Sequence, residues 1–85
     1  MRSHLEILKD LENYFQNNNL TVESTELDYQ VKGSATGGEL CSRVGAWLLQ
    51  YRKKTPTVNQ SLSDLITEFI DYCHYNKIRF HSWLY

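Results

Sequence analysis

Glycines, cysteines and histidines are the residues of this 85-residue chain with the chemistry to grip a phosphate, hold a metal or attack a substrate. The stretch GSATGGEL, Gly33 to Leu40, holds three of the four glycines. A P-loop needs GxxxxGK[ST], so that a lysine reaches the phosphates and a hydroxyl holds magnesium. Here Glu39 stands near the lysine position, and its charge would repel a phosphate. A dinucleotide fingerprint fails as well, because the G-x-G-x-x-G spacing is missing. The stretch is suited to reversing the chain into a helix, with Thr36 as N-cap and Glu39 favourable in the first turn. Free N–H groups at that helix start are still able to receive a partner's carboxylate or carbonyl. Gly33, Thr36, Gly37 and Gly38 are therefore candidate loop residues, with a tight turn as the favoured reading.

Zinc sites use pairs of ligands at short spacing. Cys73 and His74 are adjacent, and on a helix they diverge, so no metal is expected. Cys41 falls in the first turn of a predicted helix, where the dipole favours a thiolate. It is the best nucleophile on offer, with His81 as the one imidazole to pair with it; a buried structural thiol is the stronger reading. His74, His81 and Asp71 could exchange protons but carry no motif. The expectation is a protein that is not an enzyme and has no cofactor.

Charge is uneven along the chain. Residues 1–40 carry seven acids against three bases, and residues 41–85 six bases against three acids, for a net charge of −1. Arg52-Lys53-Lys54 with Lys77, Arg79 and His81 would make a basic edge beside Tyr75, Trp83 and Tyr85, whose rings could stack on unpaired bases. A pI near 6.3 is far below the balance expected of a nucleic-acid domain, so nucleic acid is the alternative reading. The preferred surface is acidic: Glu23, Glu26 and Asp28 around Tyr29, with Trp83 and Tyr85 as a further apolar contact near the chain end.

The elements that must position these residues follow from periodicity. Leu5, Ile7, Leu8, Leu11, Tyr14 and Phe15 recur at helical spacing, which predicts a helix over 2–16 with Ser3 and Glu6 as a capping box. Asn17, Asn18 and Asn19 should end it. The period then drops to two, predicting a β-hairpin of Leu20–Glu23 with Glu26–Lys32. Leu40, Val44, Trp47, Leu48 and Tyr51 predict a second helix from Gly38 to Lys53. It is slim at Gly45 and Ala46, where another element can approach closely. Leu62, Leu65, Ile66, Phe69, Ile70 and Cys73 predict a third, capped by Ser61 with Asp64 and stopped by Asn76. The tail IRFHSWLY alternates again and reads as a strand added to the hairpin, with a continued helix as the alternative. The expected fold is α+β in the order α-β-β-α-α-β: one compact domain over 1–85, a small antiparallel sheet covered on one face by three helices.

Hydrophobic residues at 41% and charged residues at 22% suit a folded soluble chain, and aromatics at 13% are high. The acids in MRSHLEILKDLE exclude a signal-peptide core, and no apolar run reaches membrane-spanning length, so a cytoplasmic location is expected. An edge strand and opposed half-charges would suit a homodimer. Size, slight acidity, the missing catalytic motif and the aromatic content resemble, in style and without a shared motif, the small bacterial or phage inhibitor, immunity and antitoxin proteins. The resulting expectation is a non-enzymatic module, of that or of a regulatory type, binding a basic protein partner.

Overall fold

The structure is a computed structural model that describes residues 2–80. It holds four helices: α1 His4–Asn17, α2 Thr21–Lys32, α3 Gly37–Lys54 and α4 Gln60–Tyr75. No strand occurs among the described residues, so the α+β expectation, its sheet and its hairpin are overturned.

The first helix begins as its sequence demands. Ser3 Oγ accepts from the Glu6 backbone N–H at 3.3 Å, and Glu6 Oε1 accepts from the Ser3 backbone N–H at 3.3 Å, closing the capping box. Ile7, Leu8, Leu11 and Phe15 form its buried stripe. The asparagines stop it, with Asn18 as C-cap and Asn19 in the left-handed region at φ 57°. Leu20 N–H then donates to Phe15 C=O at 2.8 Å and Asn19 N–H to Gln16 C=O at 3.2 Å. This pair of reversed bonds is a Schellman closure. The same closure ends α4, where Lys77 takes φ 57°, Ile78 N–H donates to Cys73 C=O at 2.9 Å and Lys77 N–H to His74 C=O at 3.1 Å.

The second helix stands where the hairpin was expected. Its two faces differ little in polarity, so local periodicity decides weakly between strand and helix. A two-stranded hairpin needs a sheet or helix to support it. A helix instead turns Leu20, Leu27 and Val31 toward the core at spacings of seven and four. Val22 and Tyr29, which the alternation placed inward, are 65% and 68% exposed. Tertiary burial of Leu27 overrides the β preference of the valines and threonines around it.

The third helix starts at the expected cap, Thr36 Oγ1 accepting from Glu39 N–H at 3.1 Å. It buries Cys41, Val44, Ala46, Trp47 and Leu48. The cap of α4 is Asn59, whose side chain accepts from Leu62 N–H at 3.0 Å; Ser61, the expected cap, lies two residues further on, inside the first turn. Asp64 instead accepts from Gln60 Nε2 at 2.7 Å. Residues 78–80, expected as the start of a strand, run against α3 without forming one. Ser42 Oγ donates to Arg79 C=O there, and Phe80 covers Gly45 so closely that a Cβ at that position would overlap its ring. Gly45 is needed for that approach. The remainder of the expected strand, including Trp83 and Tyr85, lies outside the described residues.

The helices close into a ring: α1 packs on α2 and α4, and α3 packs on α2 and α4. Phe15, Phe69, Ile7, Leu11, Leu27, Leu48 and Ile66 are the largest fully buried side chains and form the centre of the core. Each buried side chain of this size contributes about 1.5–3 kcal/mol relative to exposure, so the ring is held mainly by this centre. No helix of the described residues is long and apolar enough to cross a membrane.

Candidate functional site: the groove between α2 and α3

Helical geometry gives α2 an outward stripe that the sequence alternation had split between two faces. Val22, Glu26 and Tyr29 fall at i, i+4 and i+7, with Glu23 and Thr25 beside them. Across from them α3 presents Trp47, Gln50, Tyr51 and Lys54 at i, i+3, i+4 and i+7. Between the two stripes lies a groove of about 870 Å³.

Its floor is aromatic. Trp47 and Tyr51 stack with centroids 5.3 Å apart and planes 11° from parallel. Phe15 of α1 meets both edge-on, at 5.9 Å and 5.7 Å, and so fixes the pair from the core side. The indole N–H of Trp47 donates to Glu26 Oε1 at 3.0 Å, which ties the α2 wall to the floor. Burial, with the Glu23 carboxylate close by, pushes the Tyr51 hydroxyl above its ordinary pKa, so it remains protonated. Among the described residues no Lys or Arg lies within ion-pairing distance of Glu23 or Glu26.

Of the expected contact residues, Glu23, Glu26 and Tyr29 converge on this groove. Asp28 does not. It pairs with Lys32 at 2.9 Å and lies near Glu12 of α1, whose carboxyl is pushed up first by burial and then by Asp28. The negative charge of residues 1–40 is thus only partly tied to the basic half: Glu39 lies 4.0 Å from Arg43, while Asp10 and Asp28 pair with Arg2 and Lys32 of their own half.

The glycine stretch is the corner joining α2 to α3, between two helices rather than after a strand. No glycine takes a positive φ. At Gly33 a Cβ would come within 2.7 Å of the Arg43 guanidinium, the far end of a flexible side chain that would shift to make room. That guanidinium reaches over α2, donating to Gly33 C=O at 3.2 Å and to the buried Gln30 Oε1 at 3.2 Å. It also lies 6.0 Å above the Tyr29 ring. Gly37 and Gly38 have nothing nearer than 4.0 Å to where a side chain would begin, and Thr36 already caps the helix start beside them.

Other candidates separate. Cys41 and Cys73 are free and buried, and the Cys73 thiol donates to Cys41 C=O at 3.7 Å. A separate interaction between the two thiol side chains, with burial, pushes Cys73 far up, and the same thiol–thiol interaction lowers Cys41; at 1% exposure Cys41 is sealed from solvent. His81 lies outside the described residues. His74 contacts the Phe80 ring at 5.8 Å, and no cluster of His, Cys, Asp and Glu among the described residues could hold a metal. The basic residues do not form one edge. Arg79 is anchored to Ser42, whereas Lys53 stands eleven residues further along α3, roughly 16 Å at 1.5 Å per residue.

Sequence reasoning assigned Trp47 to the core, where it lies; it also assigned Tyr51 to the core and Val22 to a strand interior, so the groove between the helices was missed. The available signal was Val22, Glu26 and Tyr29 at i, i+4 and i+7 opposite Trp47, Tyr51 and Lys54 at the same spacings. Compared with known protein families, with characterised proteins and with solved structures, the chain matches none.

Proposed function

We propose that this chain is a non-enzymatic protein-binding module that receives a basic segment of another protein in the groove between α2 and α3. The observation that carries this reading is the pairing of an aromatic floor, Trp47 on Tyr51, with two carboxylates, Glu23 and Glu26, that have no cationic partner among the described residues. Aromatic floors supply contact area at low entropic cost, and the unpaired acids supply steering and orientation. Exposed Val22 and Tyr29 extend the contact along the α2 rim. A volume of about 870 Å³ accommodates several side chains, the size of a short peptide segment rather than a single ion. Such a module acts by occupancy, blocking or regulating the protein it holds.

The test uses basic, neutral and acidic peptides of equal length, titrated at low salt against the wild type and Glu23→Lys/Glu26→Lys. Asp28→Lys serves as the charge reversal outside the groove. Basic peptides should bind the wild type and Asp28→Lys, and charge reversal in the groove should lower affinity by at least about tenfold. Affinity should fall with added salt. Equal binding of all three peptide classes, or equal loss in both variants, overturns the reading.

A further inference from the structure

We infer that the basic group this groove selects is a guanidinium, so that the partner presents an arginine in preference to a lysine; the inference rests on the peptide-docking reading above. Three features of the groove distinguish the two cations. The acceptors are spread over an arc: Glu23 and Glu26 stand one helical turn apart on α2, and the Tyr51 hydroxyl lies across from Glu23. Glu26 Oε1 is already engaged by the Trp47 indole and the Glu23 carboxylate faces the Tyr51 hydroxyl, which leaves Glu26 Oε2 and the outer lone pairs of Glu23 to receive donors. A planar fork with five N–H groups can satisfy such a set together, whereas an ammonium offers three donors around a single point.

The groove is also aromatic: Tyr51, stacked on the buried Trp47 and met edge-on by Phe15, lines it, and a guanidinium is planar and weakly hydrated enough to pack against such a ring. An ammonium would have to shed a tightly bound water shell for the same contact. Third, the groove's own wall already holds this chemistry. Arg43 places its guanidinium 6.0 Å over the Tyr29 ring while donating to Gln30 Oε1 and Gly33 C=O. The same ingredients, an aromatic ring with carboxylates near it, recur across the groove, where Glu23 faces Tyr51 and Glu26 faces Trp47. Lys54 on the opposite rim would repel a run of cations, so a single arginine among neutral residues fits better than a polybasic stretch.

The deciding experiment follows the Trp47 indole N–H by heteronuclear NMR, with Trp83→Phe identifying its signal. Acetyl-Gly-Arg-Gly-amide and acetyl-Gly-Lys-Gly-amide are titrated separately. The arginine peptide should shift the indole signal with an affinity about tenfold higher than the lysine peptide. Glu23→Gln/Glu26→Gln, which keeps the side-chain shape, should bring the arginine peptide down to the level of lysine, with an unchanged spectrum elsewhere reporting intact folding. Equal affinities for the two peptides overturn the arginine preference while leaving a groove for basic segments in place. No shift with either peptide overturns both. An arginine preference that persists in the double variant overturns the assignment to these carboxylates.

Discussion

The seams α1–α4 and α2–α3 face each other across the helix ring and are built on opposite plans. Where α1 meets α4, the seam turns fully buried side chains of both helices into the core, Ile7 and Leu11 from α1 and Ile66 and Phe69 from α4. Its outer edge is closed by Arg2, which bridges Asp10 at 2.5 Å and Glu68 at 2.7 Å, and by His4 against the Tyr72 hydroxyl at 3.2 Å. Where α2 meets α3, the buried contribution of α2 is one leucine and one glutamine, Leu27 and Gln30. The outer part of that seam is left as the aromatic-floored groove. One seam uses its side chains to hold the helices together, and the other leaves them facing outward. Binding surface and core compete for the same residues, and α2 has given most of its length to surface.

The largest effect that separates the two plans comes from truncating each at its most prominent ring. Phe69, fully buried in α4, becomes a cavity on Phe69→Ala, with an expected loss of about 3–5 kcal/mol in denaturant unfolding. Tyr29→Ala on the α2 rim removes an exposed ring, with an expected loss within about 1 kcal/mol that includes its contact with Arg43. Comparable losses would mean that the α2–α3 seam is structural and the groove is a by-product of packing.

A second substitution breaks the polar hinge that replaces apolar packing between α2 and α3. Arg43→Met preserves length but leaves Gln30, only 6% exposed, and the Gly33 carbonyl without their donor. An unsatisfied buried acceptor costs about 1–3 kcal/mol. The loss should appear mainly as faster hydrogen exchange of α2 amides, with α1 and α4 protected as before. Uniform acceleration across all four helices would show instead that α2 does not open on its own.

This division also explains what the sequence disclosed and what it concealed. The helices of the filled seam were legible because burial imposes a period: Ile7, Leu8, Leu11 and Phe15 in α1, and Leu62, Ile66, Phe69 and Cys73 in α4. Three of their four ends were legible because capping is local chemistry, as Ser3 with Glu6 and the Asn18–Asn19 closure illustrate; the start of α4 was not, its cap being Asn59 in place of Ser61. At α2 the apolar residues serve two masters. Leu27 and Val31 face the core while Val22 and Tyr29 face the groove, and the mixture imitates an alternation of two. Glu23, Glu26 and Tyr29 were named as one surface although strand alternation divides Glu26 from Tyr29, whereas a helix groups all three at intervals of three. The same change of period separates Asp28 from them. Trp47 is buried as its spacing predicts, and Tyr51 gave no sign of lining a groove because a half-buried ring has the same spacing as one in the core.

The smallest effect is the one that reads the two sides of α1 by acid titration. On its α4 side, the Arg2 guanidinium holds the Glu68 carboxyl below the ordinary range through a direct hydrogen bond. A depressed folded pKa means the unfolded chain takes up the proton first, so this contribution is present above the ordinary value and lost as pH falls through the folded one. On its α2 side, burial and then Asp28 push Glu12 up. There the folded chain takes up the proton first, so ionised Glu12 weakens the fold at neutral pH and the penalty is relieved on mild acidification. Glu68→Gln should therefore flatten the decline in stability at low pH, and Glu12→Gln should raise stability at neutral pH while removing the relief. Both groups are partly exposed, so solvent screening keeps these changes small, and they should shrink further in salt. Parallel pH profiles for the two variants would mean that the two sides of α1 are electrostatically alike, and that the contrast between a fastened seam and an open one lies in packing alone.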